Sequence, residues 1–302
     1  MRLVMTLLVR DEEDILVANL EFHRAAGVDH FVVTDNLSED RTPEILDDYA
    51  TRGLVTWRRE TDDDYSQHRW VTRMAREAAT EHGADWVINN DADEFWIADT
   101  GAPPGDLKAV LAEVPAHVDA LSVPRVEFLT RPDGPQPFYD RLLVRFADSV
   151  KPDGKRLLPK VLHRARSDIE VVQGNHGVSA PGLGDTVDAD RIEILHAPHR
   201  SYAQFANKIE KGGRAYANNA ELPTKMGKRW RLLYERWQQG TLEEWYRDQL
   251  VTEDDLAEGL ASGRYVEDRR LQRFFTTHPP ADPLDRSGPK GLRARLTARV
   301  RR

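Results

Sequence analysis

The sequence predicts an α/β fold: a mostly parallel sheet with helices on both faces, extended by helices at the C-terminal end. Two observations predict it. Strand-like and helix-like segments alternate four times within the first hundred residues, which is the pattern of a doubly wound sheet. The first strand-like segment, LVMTLLV at 3–9, is a continuous run of leucine and other apolar residues except for Thr6, as expected for a strand that is covered on both faces.

Each element of the first hundred residues carries its own local signal. Gly27 suits the C-terminus of the first helix, and Gly83 ends the third. Thr42 supplies a capping hydroxyl before a proline at the first position of the second helix. The predicted strands cover 3–9, 30–35, 54–57 and 85–89, and the predicted helices cover 13–26, 42–53 and 66–82.

The later part of the chain is less regular. Residues 120–129 resemble a strand that a proline interrupts, while 171–180 and 191–200 resemble short strands that end in histidine-bearing loops. Beyond residue 201 the pattern is helical, and one helix face carries an aromatic stripe. This stripe packs a core or forms a shelf for a bound acceptor molecule; it consists of Trp230, Leu233, Tyr234 and Trp237.

The composition excludes several classes of protein. The formal net charge of −8, from 51 acidic and 43 basic side chains, argues against a general nucleic-acid binder, which needs a basic face. Disulfides and thiolate metal sites are excluded because the sequence has no cysteine. The N-terminal apolar run is short and lacks a cleavage site, and no run approaches the roughly 18 apolar residues of a membrane helix. We therefore expect a cytoplasmic protein.

The last segment, 285–302, is basic and carries apolar residues at four-residue steps, namely Leu292, Leu296 and Val300. A basic amphipathic tail of this kind makes weak contact with anionic lipid at the inner face of the membrane, or it is a flexible, solvated end.

The segment DWVINNDADEFW at 85–96 concentrates carboxylates directly behind an apolar strand. Like charges on one short turn repel each other unless a positive group lies among them. Mg²⁺ and Mn²⁺ bind through one or two carboxylates plus substrate phosphates, so Asp91 and Asp93 are candidate metal ligands. Asp35 follows the second strand and should open onto the same edge, where α/β proteins bind ligands. The alternative is an acidic turn that caps a following helix.

Two longer segments resemble the GT-A glycosyltransferases, in particular family 2-like members that carry a D-A-D-E-F signature. Residues 3–46 are similar to that family's opening, in which an N-E-E-like turn follows the first strand and D-N-x-S-x-D ends the second. Residues 196–213 contain a histidine followed by R-S-x-x-Q-F-x-x-K, a second shared feature. The resemblance covers 1–100 well and 120–215 in patches. One departure is Arg10-Asp11, where many relatives have asparagine before the glutamates.

The resemblance implies a nucleotide site at the ends of the first two strands. Thr6 and Asp35 would contact the nucleotide, with the Asp35 carboxylate accepting a hydrogen bond from the base. Arg69 lies where the family often has a basic residue near the nucleotide, and Arg73 is one turn further along the same helix. The competing interpretations are an Asx turn started by Asp35 and ordinary surface arginines.

The resemblance also implies a set of metal ligands. Asp91 would face the ribose and the metal, and Asp93 would be the more direct ligand. GT-A enzymes often supply a third metal contact from a later histidine, for which His196 is the candidate. His176 would line the acceptor pocket. An ordinary hydrogen-bonded histidine remains the alternative at both positions.

Basic residues of the same stretch are candidates for holding the diphosphate. These are Arg200, Lys208 and Lys211, and solvated helix charges are the alternative.

An inverting transferase needs a base that takes the proton from the acceptor hydroxyl. Glu127 lies in an apolar strand between the two halves of the domain, where burial would raise its pKa toward the useful range. Asp119 and Asp133 are rivals, and inversion itself is implied only by the resemblance.

The sequence thus predicts a metal-dependent glycosyltransferase that uses Mn²⁺ or Mg²⁺. It would move a sugar from a UDP- or GDP-linked donor to a hydroxyl acceptor such as a glycan or small molecule. Residues 1–100 would bind the donor, 101–220 would form the acceptor half of the same domain, and 221–284 would be a helical extension. The alternatives are a catalytically inactive nucleotide-sugar-binding protein of the same fold and a nucleotidyltransferase. A Rossmann dehydrogenase is excluded because no G-x-G-x-x-G follows the first strand.

Overall fold

The helices and strands of the first hundred residues alternate as the sequence predicts. The computed structural model describes residues 1–64, 66–150, 154, 156–219 and 227–284; the basic tail and its predicted lipid contact lie outside them. The strands are β1 Leu3–Val9, β2 His30–Asn36, β3 Val55–Glu60, β4 Trp86–Asp91, β5 Glu94–Ala98, β6 Val118–Val123, β7 Arg125–Glu127, β8 Val144–Phe146, β9 Lys160–Arg164, β10 Glu170–Val171, β11 Val178–Ser179, β12 Asp185–Asp188, β13 Ile192–His196 and β14 Tyr265–Glu267. The helices are α1 Leu16–Ala25, α2 Thr42–Thr51, α3 Gln67–Thr80, α4 Leu107–Ala112, α5 Phe138–Arg141, α6 Tyr202–Asn218, α7 Lys228–Gln238, α8 Leu242–Arg247, α9 Glu253–Ala261 and α10 Arg270–Thr277.

The main sheet joins strands from both halves of the chain. Within the described residues its order is β12-β6-β9-β4-β1-β2-β3. Strands β1, β2, β3 and β4 are parallel to one another, whereas β9 runs antiparallel between β4 and β6. The predicted α/β fold with a mostly parallel sheet is therefore confirmed.

Apart from Thr6, strand β1 is apolar because its two faces pack in two separate cores. Leu3, Met5 and Leu7 pack in a large cluster that includes residues of α1 and α2. Val4 packs on the opposite face against Val71 and other residues of α3. Side chains alternate between the faces of a strand, so a strand covered on both sides is apolar at most positions rather than at every second one.

The strands after β4 confirm one prediction and exclude one alternative. Pro124 separates β6 from β7, as the predicted interruption requires, and β7 then leaves the main sheet to pair with β13. The segment after the acidic turn is strand β5, which pairs antiparallel with β13. The alternative in which the acidic turn caps a following helix is therefore wrong.

Thr42 does not cap α2, contrary to the prediction. Its Oγ1 instead accepts a hydrogen bond from the backbone N–H of Glu12 at 3.0 Å.

The C-terminal helices pack against the rest of the molecule in two ways. Helix α10 adds Phe274 and Phe275 to the main core. The ring centroids of Phe274 and Phe22 are 5.0 Å apart. Helix α7 packs on α6, and Leu233 is buried in the cluster that they share. Among the described residues no helix is long and apolar enough to span a membrane.

Gly213 allows α6 and α7 to approach closely. A methyl group added at Gly213 would lie 2.4 Å from Tyr234 Cβ, a distance that carbon atoms do not tolerate. We expect Gly213→Ala to lower the free energy of unfolding by about 1–3 kcal/mol through this overpacking, even though alanine is the better helix former. Urea unfolding followed by circular dichroism measures the change. An unchanged or increased stability would contradict the close packing of the two helices.

Candidate functional site

A cavity of about 710 Å³ lies at the carboxyl ends of β1 and β4, beneath α6 and α7. Its position is the one that α/β sheets use for ligands. The acids that line it are Asp11, Glu12, Asp91, Asp93 and Glu127. The cations that line it are Arg10, Arg125, Lys160, Lys208, Lys211, Lys228 and Arg229.

Asp91, the last residue of β4, is held by two groups from the later part of the chain. Lys160 Nζ donates a hydrogen bond to Asp91 Oδ2, and Asn175 Nδ2 donates to Oδ1 at 3.3 Å. Burial raises the pKa of the Asp91 carboxyl, but Lys160 outweighs it and the pKa is lowered. Asp91 is therefore ionised and fixed in orientation.

Asp93 lies two residues further along the turn and is almost fully buried, with 3% exposure. Lys208 Nζ donates to its Oδ2 at 2.7 Å, and His196 Nε2 lies 3.7 Å from its Oδ1. Burial opposes ionisation, but Lys208 and His196 together hold the pKa of Asp93 well below its usual range. The second acid of D-A-D thus faces both α6 and β13.

The pairing of β7 with β13 brings Glu127 and His196 side by side. The two residues are register partners of parallel strands, and His196 Nδ1 lies 3.3 Å from Glu127 Oε2. Burial lowers the pKa of His196, but Asp93 and Glu127 raise it by more, so that the pKa lies above its ordinary value. One imidazole therefore bridges the candidate base and the acidic turn.

Arg200 connects the RDEED loop, which follows β1 at 10–14, to the start of α6 rather than lining the cavity. It is fully buried, and its guanidinium donates to Glu12 Oε2 at 2.5 Å and to Asp14 Oδ2 at 2.7 Å. Burial raises the pKa of Glu12 to about 7, although Arg200 and Lys208 oppose this shift. His176 does line the cavity, with its Nδ1 2.8 Å from the carbonyl oxygen of Pro159.

The basic face of α6 crosses the loops that follow the parallel strands. Lys208 pairs with Asp93 after β4, as described above. Lys211 Nζ contacts Asp11 Oδ2 after β1 at 2.6 Å and Glu39 after β2 at 2.8 Å. Arg214 contacts Asp63, after β3, at 3.1 Å. The spacing of three residues places these cations along one side of the helix, so α6 closes the edge where the strands end.

Comparison with known families agrees with this geometry. Residues 5–167, more than half of the 302-residue chain, match the model of glycosyltransferase family 92. The chain belongs to this family. The broader prediction of a glycosyltransferase is thereby confirmed, whereas the finer prediction of a family 2-like member is not. No curated protein matches the sequence.

Solved structures with a similar fold have low sequence identity to this family 92 chain. S. aureus TarS 1–349 is 14% identical with a TM-score of 0.42, covering 83% of this chain and 84% of that one. Its complex with UDP is 12% identical with a TM-score of 0.44, covering 91% and 89%. A mycobacterial protein is 15% identical with a TM-score of 0.35, covering 72% and 74%. At these scores the similarity carries no functional argument.

Three of the predicted nucleotide contacts lie outside the lining of the cavity. Thr6 is in the middle of β1, not at its end, and its hydroxyl donates to Asn89 Oδ1 at 2.9 Å. Asp35 is fully buried, with Arg59 Nη1 3.2 Å from Oδ2; burial raises its pKa more than Ser38 and Arg59 lower it. Arg69 lies on the exposed side of α3. Their neighbours Asn36 and Gln67 line the cavity instead.

The metal prediction concerns Asp91, Asp93 and His196. Among the described residues there is no group of three or more acidic, histidine or cysteine side chains that could hold a metal ion. Both Asp91 oxygens already accept hydrogen bonds from protein groups. Asp93 Oδ1 and His196 Nε2, 3.7 Å apart, are an oxygen and a nitrogen of the kind that Mn²⁺ accepts. Mg²⁺ and Mn²⁺ commonly take their other ligands from phosphates and water. Metal binding by this pair would require His196 to lose the proton that Asp93 and Glu127 favour, and it stays a prediction.

Several cavity residues have no signal in the sequence that predicts their role. Lys160 ends the segment KPDGKRLLPK at 151–160, which is rich in turn-forming residues, and is the first residue of β9; Arg125 precedes Glu127 by two residues. Both reach the cavity because β9 and β7 lie beside β4 and β13, which are far away in sequence. Glu12 belongs to an N-E-E-like turn, and the family opening is the signal that could have identified it.

Proposed function

We propose that this protein transfers a sugar from a nucleoside diphosphate donor, UDP- or GDP-linked, to a hydroxyl group of an acceptor. The observation that carries the proposal is the row Lys208–Asp93–His196–Glu127 in a cavity at the strand ends of a family 92 chain. This row combines a cation for phosphate, an acid and an imidazole for a metal, and a carboxylate for proton transfer. A metal-assisted sugar transfer uses a base for the acceptor proton and positive charge at the leaving diphosphate.

The diphosphate is assigned to the cations of α6. Lys208 and Lys211 line the cavity, and their ammonium groups are able to exchange a carboxylate partner for a phosphate oxygen. Asp93 and His196 would hold Mn²⁺ or Mg²⁺ together with phosphate oxygens. When bound, the metal neutralises negative charge on the departing nucleoside diphosphate. Arg200 does not contact the diphosphate in this proposal; it fixes the RDEED loop against the start of α6.

Glu127 is assigned as the base. The acceptor oxygen attacks the anomeric carbon while the bond from that carbon to the phosphate oxygen breaks. The proton of the acceptor hydroxyl passes to Glu127, and the nucleoside diphosphate leaves with the bonding electron pair. Attack from the face opposite the leaving group inverts the anomeric carbon. His196, 3.3 Å from Glu127, holds that carboxylate toward the acidic turn.

A thermal-shift titration with UDP, GDP, dTDP and CDP tests the proposal, each with Mn²⁺, with Mg²⁺ and with EDTA. We expect one nucleotide to raise the melting temperature in the presence of metal, because a ligand that binds only the folded state stabilises it. Release of free sugar from the matching sugar nucleotide would then distinguish an enzyme from a binding protein. The absence of any shift with all four nucleotides would refute the proposal.

A further inference from the structure

Lys160 is a buried lysine at the floor of the cavity. It is the first residue of β9 and pairs with Val123 of β6. Only 1% of it is exposed, although it lines the cavity. Lysine is almost never buried to this extent unless its charge is paired. Here Nζ donates to Asp91 Oδ2 and lies 3.3 Å from Glu94 Oε1.

The charges around the acidic turn form three pairs. Glu94 is already matched by Arg125, whose Nη1 donates to Oε1 at 2.7 Å. Lys160 therefore balances Asp91, and Lys208 balances Asp93 from the other side of the turn. The two lysines arrive from different elements, β9 and α6, and both line the cavity. The three acids and three cations of the turn sum to no net charge.

A nucleoside diphosphate brings two or more negative charges onto this neutral floor. A buried charge is costly unless it is paired and hydrogen-bonded. A metal held by Asp93 and His196 would compensate part of that charge. Two cations line the cavity on the Asp91 side. Arg125 is paired with Glu94, which is fully buried, whereas Lys160 is paired with Asp91, which is partly exposed. Lys160 is therefore the cation that can exchange its partner.

We propose that Lys160 is a diphosphate-binding residue, whose ammonium group turns from Asp91 to a phosphate oxygen of the bound nucleotide. The proposal rests on the proposed function, because it assigns a contact within the same nucleotide site. Lys160 would then act opposite Lys208, so that the diphosphate lies between an ammonium group from the sheet and one from α6. Asp91 serves as the counter-ion of Lys160 when no nucleotide is bound.

The experiment compares a single variant, which adds one positive charge to the site, with a double variant, which keeps the net charge of the unmodified protein. In Asp91→Asn, Lys160 loses its carboxylate partner but keeps its charge; in the double variant Asp91→Asn/Lys160→Met both charges are removed together. Isothermal titration with UDP and GDP gives the affinity of each variant, and titration with uridine and guanosine gives the affinity without phosphates. Lys108→Met, which breaks a lysine–aspartate pair with Asp29 away from the cavity, is the matched control.

We expect the double variant to bind the nucleoside diphosphate at least about 10-fold more weakly than Asp91→Asn, because one charge-assisted hydrogen bond is lost. Nucleoside affinity should be equal in the two, and Lys108→Met should match the unmodified protein. Equal diphosphate affinity in the two variants, or a parallel loss of nucleoside affinity, would overturn the proposal for Lys160 but not the proposed function. If the unmodified protein bound no nucleoside diphosphate at all, the proposed function itself would fail.

Discussion

Replacing Asp93 by asparagine is expected to abolish metal-dependent nucleotide binding while leaving the fold intact. The carboxylate faces Lys208 at 2.7 Å and His196 at 3.7 Å, so its loss removes the negative charge on which both groups converge. We expect nucleoside diphosphate affinity in Mn²⁺ to fall by at least about 100-fold, which is about 2.8 kcal/mol. In EDTA, the difference between Asp93→Asn and the unmodified protein should shrink.

The fold should survive this substitution for two reasons. Asparagine has nearly the same shape as aspartate. Lys208 remains 31% exposed and keeps Glu12 Oε1 at 3.8 Å, so its charge is not left unpaired in a dry interior. Circular dichroism and thermal unfolding check this expectation.

Asp268 provides a matched control for Asp93. It is also a buried acid with two cationic partners, Arg145 and Arg270, but it lies at the start of α10, outside the cavity lining. Asp268→Asn should lower stability without changing the nucleotide affinity of the folded protein. Nucleotide binding that is equally metal-dependent in Asp93→Asn and in the unmodified protein would remove Asp93 from the metal site.

The parallel half of the fold could be predicted from sequence because its signals are local. The largely apolar run of β1, the glycine after α1 and the turn after β4 each act within a few residues. The D-A-D segment was predictable for the same reason, since one strand end positions both acids. On the other side of β4, its pairing with β9 joins segments about 75 residues apart, and no local pattern encodes it.

The acidic turn illustrates what this non-local pairing changes. From the sequence, Asp91, Asp93 and Glu94 are three like charges that need a positive partner, and a divalent cation is the local solution. The structure supplies protein cations to the same acids, with Lys160 coming from β9 and Lys208 from α6. The physical requirement was identified correctly, whereas the groups that meet it became visible only in three dimensions. A metal bound at Asp93 would act in addition to these lysines.

The nucleotide contacts show the opposite case, in which a local position was predicted and the side chain points elsewhere. Asp35 follows the predicted strand and is in the predicted element, but it is buried against Arg59, while Asn36 faces the cavity. Successive side chains of a strand point to opposite faces, so a shift of one residue decides which of them can reach a ligand. The role of Asp35 stays a prediction.

Replacing Glu127 by glutamine is expected to lower the turnover number by about 100- to 10,000-fold, the range associated with loss of a positioned general base. The amide keeps the size of the side chain but cannot accept the acceptor proton. Affinity for the sugar nucleotide should change by less than about threefold, because the diphosphate is assigned to Lys160, Lys208 and the metal. Single-turnover kinetics together with titration of the nucleotide separate the two quantities.

The rivals of Glu127 serve as controls because the structure places them away from the cavity. Asp119 accepts the Gly184 N–H at 2.7 Å and Asp133 accepts the Tyr202 N–H at 2.9 Å, and neither lines the site. Asp119→Asn and Asp133→Asn should therefore keep turnover. Glu12 is the stronger competitor, since it lines the cavity and its pKa is raised to about 7. Suppose that Glu127→Gln keeps full turnover while a folded Glu12→Gln loses it. The base would then be Glu12, because the carboxylate that receives the acceptor proton is the one whose loss stops the new bond to the sugar from forming.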